Sequence, residues 1–128
     1  MTKTIVFDQK VLDSLLSYAK MTHPKEGILL LRGKVDKEKI VVSDIEIPPF
    51  ATHATSFASF PLHTLPIDFS ILGLAHSHPL GVLKPSTMDL NKFYGRIMVI
   101  IAYPYLTQQD IAVFDKEGKP LRYEVVET

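Results

Sequence analysis

One apolar run in the middle of the chain ends in two histidines, and this run restricts the fold more than any other segment does. Residues 70–75 (SILGLA) have the composition of a buried strand, and His76 and His78 follow directly. Because successive side chains of a strand point to opposite faces, the two imidazoles are expected to share one face. The fold should therefore contain a buried strand whose end presents both rings together.

A short helix is predicted a few residues after the histidines. Ser86 precedes residues 87–94 (TMDLNKFY) and is expected to be the N-cap of that helix, which Gly95 is expected to end. Asp89 lies three residues after Ser86, about one turn further and on the same side. The pattern H-x-H, seven residues, S-x-x-D can thus bring two imidazoles and a carboxylate together.

This ligand set has a recognisable chemistry. Two imidazoles and one carboxylate, with a fourth position left for water, are typical of a catalytic zinc site rather than a structural one. A hydrolase built in this way also needs a base to move the proton and a donor for the oxyanion. Ser86 is a candidate donor because it adjoins the ligand helix, whereas no base lies inside the motif.

Length and composition restrict the number of domains, the class of partner and the compartment. The chain of 128 residues is long enough for a single domain, and its net charge of zero argues against a nucleic-acid or anionic-membrane partner. The absence of cysteine excludes disulfides and thiolate ligands and fits a reducing compartment. Residues 1–9 lack the apolar stretch of a signal peptide, and the apolar run 97–103 is too short to cross a bilayer. A cytoplasmic protein is therefore expected.

The other elements follow from hydrophobic periodicity and turn residues. The predicted elements are a strand over 4–7, a helix over 9–21 capped by Asp8, strands over 26–32 and 40–47 joined by a polar turn over 33–39, a buried strand over 97–102, and a terminal hairpin of 111–114 with 121–126. Residues 50–69, divided by Pro61 and Pro66, are expected to form a loop with a short helical or extended piece. These elements predict an α/β (α+β) domain with a mixed sheet and two main helices.

The motif resembles that of the JAMM (MPN+) zinc metalloproteases. The family pattern is an upstream Glu, then H-S/T-H, seven residues and S-x-x-D, and here Ser77 and Pro79 match as well. In the family the Glu opens a strand after the first helix in the phrase E-x-x-G-L-L-x-G, and residues 26–33 (EGILLLRG) stand at that place. The likeness covers nearly the whole chain. It implies one JAMM/MPN+ catalytic domain over residues 1–128, of the minimal prokaryotic or archaeal type.

The resemblance also implies a role for each site residue. His76, His78 and Asp89 would hold one catalytic Zn²⁺. Glu26 would be the general base and proton shuttle, and Ser86 would stabilise the tetrahedral intermediate. Taken alone, Glu26 would be read as a solvated charge, and Ser86 could be a cap only or both cap and oxyanion donor. Without the histidines, Asp89 would be read as a first-turn acid favoured by the helix dipole. His23, His53 and His63 lack ligand spacing and are expected to be surface or structural residues.

The function implied is that of an isopeptidase. It would hydrolyse the bond between the C-terminal Gly of a ubiquitin-like modifier and a target Lys. Such modifiers and their conjugates would be its partners, and neither nucleic acid nor a membrane is expected to be one. The family also allows a homodimer. An exposed strand edge beside the zinc would hold the modifier tail by β-augmentation. Alternatives are a peptidase that frees the C-terminus of a sulfur-carrier protein and a non-catalytic MPN scaffold or modifier-binding module. A zinc deaminase ranks last because it expects cysteine ligands.

The sequence departs from the family pattern at Leu29 and in the segment 57–69. The Gly that commonly lies three residues after the Glu is Leu29 here, a change inside a strand that is expected to affect packing more than catalysis. Many members have a long helix before the histidine strand, whereas residues 57–69 are short and contain two prolines. The 39 residues after Asp89 are expected to be too few for the large second insertion with which eukaryotic deubiquitinases bind ubiquitin chains. The rim of the cleft is therefore expected to differ from that of its relatives.

Overall fold

The frame of the molecule is one eight-stranded mixed sheet. The computed structural model describes residues 3–49, 51, 54 and 56–127. The strands are β1 (Thr4–Asp8), β2 (Ile28–Val35), β3 (Lys39–Glu46), β4 (Ile71–His78), β5 (Ile97–Ala102), β6 (Ile111–Phe114), β7 (Pro120–Leu121) and β8 (Tyr123–Val126), in the order β7-β6-β5-β4-β2-β3-β1-β8. Within the described ranges, the helices are α1 (Gln9–Thr22) and α2 (Thr87–Leu90), and 3₁₀ turns cover Phe57–Ser59, Leu62–Thr64 and Gln108–Asp110.

The two edges of the sheet meet. Strand β7 forms one edge and β8 the other, yet only Arg122 separates them in the chain. One residue spans at most about 7 Å between its neighbours. The sheet must therefore curl until its first and last strands come together, and the curl encloses the main core.

Helix α1 packs against one face of this sheet. The Asp8 side chain accepts a hydrogen bond from the Lys10 amide (3.1 Å) and starts the helix as predicted. Its buried residues Val11, Leu12, Leu15 and Ala19 form one stripe and belong to the larger core cluster of the sheet. None of the helices in the described ranges is long and apolar enough to cross a membrane.

The segment before β4 covers the opposite face. Phe57, Phe60 and Leu65 pack with Leu74 of β4 and with other apolar residues of the sheet in a second core cluster. Its two 3₁₀ turns confirm the prediction of a loop with a short helical piece. His53 lies outside the described residues.

Three predicted boundaries differ from those in the structure. Strand β2 runs to Val35, which pairs with Ile40, so the polar turn is shorter than predicted. Helix α2 stops at Leu90 rather than at Tyr94, and the chain then turns through Gly95 at φ +77°. The last predicted strand is two strands. The residues before Arg122 pair with β6 at one edge of the sheet, and those after it pair with β1 at the other edge.

The strand that carries both histidines lies inside the sheet. Strand β4 pairs with β2 in antiparallel fashion, with Ile28 opposite His76, and with β5 in parallel, with His76 opposite Ile100. Strand β4 itself therefore has no free edge, whereas Ile28 and Leu29 of β2 lie beyond the last pair with β3, Leu30 with Glu46. A strand edge beside the zinc stays a prediction. The residues of the motif lie at the C-terminal end of a strand that is paired on both sides.

Candidate zinc centre

His76 and His78 point their Nε2 atoms to one place at the end of β4. The two atoms lie 3.1 Å apart, as the alternation of the strand predicts for residues two positions apart. The His76 side chain is fully buried, and that of His78 keeps 13% of its surface exposed. One ring therefore forms the floor of the site and the other reaches its mouth.

The cap of α2 supplies the third group. Ser86 and Asp89 form a capping box: the Ser86 hydroxyl accepts from the Asp89 amide (3.0 Å) and the Asp89 Oδ2 accepts from the Ser86 amide (2.9 Å). The same Oδ2 lies 3.1 Å from the His78 Nε2 and 3.4 Å from the His76 Nε2. The capping geometry thus fixes the carboxylate against both rings.

The three ligand atoms fit one zinc ion. Tetrahedral zinc with bonds of about 2.0–2.1 Å holds its nitrogen and oxygen ligands about 3.3–3.4 Å from one another. The separations of 3.1, 3.1 and 3.4 Å among the Nε2 and Oδ2 atoms agree with that triangle. His76, His78 and Asp89 are the metal-binding cluster of this type among the described residues. Three protein ligands leave a fourth position for water or substrate.

The two imidazoles are oriented by different means. The His78 Nδ1 lies 2.7 Å from the Val82 carbonyl oxygen, which can only accept, so the hydrogen sits on Nδ1 and the Nε2 lone pair is free for a metal. No described residue hydrogen-bonds to the buried His76 Nδ1. Instead the Phe57 ring stacks on the His76 ring, with centroids 3.9 Å apart and planes 3° from parallel.

The electrostatics of the cluster suit metal binding. Burial lowers the pKa of His76 and outweighs the Asp89 carboxylate, so this ring is neutral at neutral pH. Burial also acts to lower the pKa of His78, but hydrogen bonds to Asp89 and to the Val82 carbonyl raise it overall. Burial alone would raise the pKa of Asp89, yet the two rings and the Ser86 amide hold it well below its usual range. A metal would thus meet an ionised carboxylate and a neutral buried imidazole.

Glu26 lies next to this cluster, two residues before the start of β2. Its charge acts on both rings by raising their pKa values, and its Oε1 accepts a hydrogen bond from the Phe57 amide (2.7 Å). A cleft of about 200 Å³ opens between Glu26 and the cluster. Its lining residues are Glu26, His78, Pro79, Leu80, Val82, Ser86 and Asp89. The residues that the motif and the family resemblance single out therefore converge on one place.

Two further residues support the site, and only one of them has a signal in the sequence. Ser77, between the histidines, is buried, and its hydroxyl accepts from the Gly27 amide (2.7 Å), which ties the strand of the histidines to the residue after Glu26. Phe57 lies in the proline-divided segment, and no pattern in the sequence points to its contact with His76. By contrast, the His23 Nδ1 contacts the Tyr105 hydroxyl (2.9 Å), and His23 does not belong to the cluster.

The curled mixed sheet and its buried pair of histidines with one carboxylate define a protein with a single-zinc site of the metalloprotease kind. The family described as prokaryotic homologs of the JAB domain matches residues 8–114. The chain belongs to this family. The match contains the whole zinc cluster and Glu26.

Similar proteins agree with this assignment. A probable metalloprotease of Haloferax volcanii is 37% identical over 123 residues, which cover 91% of this chain and 76% of that protein. A JAB1/MPN domain protein from Archaeoglobus fulgidus has a solved structure with a TM-score of 0.73 and 30% identity, covering 98% of this chain and all of that one. A structure described as JAMM, a metalloprotease-like zinc site in the proteasome and signalosome, has a TM-score of 0.69 and 29% identity, with 98% and 100% covered.

Replacing the carboxylate ligand should abolish zinc binding without unfolding the protein. In Asp89→Asn the amide keeps the size of the side chain and an oxygen for the cap but loses the charge that zinc requires. We expect stoichiometric zinc in the wild-type protein and almost none in the variant, as measured by metal analysis after dialysis. Asp110→Asn, in the capping box of the 3₁₀ turn Gln108–Asp110, is the matched control and should keep its zinc. Equal zinc in both variants would remove Asp89 from the ligand set.

Proposed function

We propose that the protein is a zinc-dependent isopeptidase that hydrolyses the bond between the C-terminal Gly of a ubiquitin-like modifier and the ε-amine of a target Lys. The proposal depends on one observation above all. The Glu26 carboxylate lies beside a cluster of His76, His78 and Asp89 in the same cleft, so a proton acceptor adjoins a zinc-type ligand set. The substrate class rests on the family resemblance, and the chemistry rests on the site.

The proton transfers would be the task of Glu26. When bound, zinc supplies Lewis acidity and makes a water molecule a usable nucleophile near neutral pH. Glu26 would take a proton from the water molecule that attacks the carbonyl carbon of the scissile amide, and would then give the proton to the Lys nitrogen as the C–N bond breaks. The Phe57 amide holds Oε1, so Oε2 is the oxygen assigned to proton transfer.

Ser86 would stabilise the charge that develops on the attacked carbonyl. Its hydroxyl oxygen accepts from the Asp89 amide, and a hydroxyl that accepts one hydrogen bond still has its own hydrogen to donate. Since Ser86 lines the cleft, that hydrogen can be directed to the oxyanion of the tetrahedral intermediate. The cap also keeps the hydroxyl in one orientation before substrate binds.

The surface around the cleft supports a protein substrate. Leu80 is 94% exposed and Val82 50% exposed, although both are apolar and both line the cleft. Met88, in the helix that carries Asp89, is 63% exposed as well. Exposed apolar residues that border a polar site are typical of protein-binding surfaces. Side-chain contacts with this rim would help to hold the modifier tail.

A panel of substrates tests the function. The purified protein would be incubated with isopeptide-linked conjugates of ubiquitin-like proteins and with linear C-terminal fusions of a sulfur-carrier protein, each with and without a zinc chelator. We expect cleavage of the conjugates, its loss with chelator and its return on addition of zinc. Cleavage of the linear fusions alone would favour sulfur-carrier processing, and bound zinc without any cleavage would favour a scaffold.

Glu26→Gln should separate zinc binding from catalysis. The amide keeps the size of the side chain and can still accept from the Phe57 amide, but it cannot take a proton. We expect kcat to fall by about 10²–10⁴-fold, the usual contribution of a general base, while zinc content stays stoichiometric. Glu46→Gln, in the surface ion pair with Arg32, is the control and should leave kcat unchanged. Normal turnover in Glu26→Gln would exclude this residue as the base.

Ser86→Ala removes both the cap and the oxyanion donor, so its two effects must be separated. Loss of the donor should lower kcat by about 10²–10³-fold, and loss of the cap should lower the free energy of unfolding by about 1 kcal/mol. Thr107→Ala removes the same kind of cap from the 3₁₀ turn Gln108–Asp110 and should show the stability loss alone. Ser86→Thr should retain most of the activity. If kcat in Ser86→Ala falls no further than in Thr107→Ala, Ser86 is a cap only.

A further inference from the structure

Phe57 contacts the zinc cluster in two ways, although it is neither a ligand nor an acid or base. It is fully buried at the start of the 3₁₀ turn Phe57–Ser59, which Ser56 caps with its own capping box. Its ring lies parallel to the His76 ring at 3.9 Å, and its amide donates to the Glu26 Oε1 at 2.7 Å. One residue thus contacts both a ligand and the neighbouring carboxylate.

The ring contact replaces a hydrogen bond. A histidine that binds a metal usually donates its second ring nitrogen to a carboxylate or carbonyl, which fixes the plane of the ring. His78 follows this rule through the Val82 carbonyl, whereas His76 has no hydrogen-bond partner for Nδ1 among the described residues. The Phe57 ring stacks on the His76 imidazole, with centroids 3.9 Å apart and a plane angle of 3°. The stacked ring is thus the contact that sets the rotation of this imidazole.

The amide contact sets the direction of Glu26. A carboxylate at the start of a strand can take several rotamers, and a hydrogen bond from a rigid backbone group selects one of them. The Phe57 amide is such a group, because the capping box of Ser56 and Ser59 holds the turn that contains it. The ring and the amide belong to one residue, so the orientations of His76 and Glu26 are set together.

We propose that Phe57 is a positioning residue of the zinc centre, whose ring holds His76 in its metal-binding orientation and whose amide holds Glu26 toward the cleft. The part that concerns His76 depends only on the ligand cluster. The part that concerns Glu26 rests on the proposed function. Zinc affinity tests the first without a substrate, and the kcat of the protease tests the second, so the two can fail separately.

Phe57→Leu tests the ring. Leucine keeps an apolar side chain and the amide but loses the aromatic face. Loss of a group that orients a metal ligand typically lowers metal affinity by about 10–100-fold, and we expect a decrease of that size in competition with a chromogenic chelator. Phe60→Leu is the matched control, since Phe60 is also fully buried in the same core cluster, and its affinity should stay within about twofold of wild type.

Equal affinities in Phe57→Leu and Phe60→Leu would overturn the role of the ring, because Phe57 would then be core packing alone. Thermal unfolding without metal shows whether both variants fold. Should Phe57→Leu not fold, Phe57→Met takes its place, because methionine fills irregular space in a core but has no aromatic face. The same decrease in zinc affinity is expected of Phe57→Met.

Phe57→Pro tests the amide. Proline has no N–H, it suits the first position of a helical turn, and the extended Ser56 before it (φ −155°, ψ 168°) is compatible with a following proline. At saturating zinc we expect kcat at least tenfold below that of Phe57→Leu with similar KM. Gln108→Pro, at the first position of the other capped turn, is the control and should keep wild-type kcat. Equal kcat in Phe57→Pro and Phe57→Leu would overturn the role of the amide.

Discussion

Hydrogen bonding on both sides of β4 is the constraint on which the site depends. The strand is fixed by β2 in antiparallel pairing and by β5 in parallel pairing, with all its residues from Ile71 to Ser77 buried. A strand held in this way cannot twist or shift by one residue without reversing which side chains face the site. The alternation that directs His76 and His78 to one side is therefore maintained by the whole sheet and not by the loop that follows.

The remaining parts of the site come from groups that also have structural tasks. Asp89 completes the capping box of α2 and presents the same carboxylate oxygen to both imidazoles. The Ser77 hydroxyl accepts a hydrogen bond from the Gly27 amide and thereby fixes the chain between Glu26 and β2. Pre-organised groups of this kind need no rearrangement when a ligand binds, which favours metal affinity and catalysis alike. The site is thus built mainly from backbone geometry and helix capping.

Local patterns in the sequence predicted the ligand cluster, because each of its spacings has a local cause. Two-residue periodicity gives the pair of histidines, and the serine cap gives the carboxylate three residues later. Long-range contacts were beyond such reasoning. Nothing near Phe57 in the chain indicates that its ring would stack on His76, since that contact depends on how residues 56–65 cover the sheet. The split at Arg122 escaped prediction for the same reason: both halves of residues 120–126 have strand-like composition, and only the closure of the sheet separates them.

The pairing of β1 with β8 has a consequence for how the chain acquires its structure. These strands are joined in parallel although they lie more than a hundred residues apart, and contacts between such distant segments form slowly because a long loop must first be closed. During synthesis His76, His78 and Asp89 leave the ribosome before β8 does. The seam of the curled sheet can therefore close only after every residue of the zinc cluster has been made. A chain interrupted ahead of β8 would carry its metal ligands on a sheet that is still open.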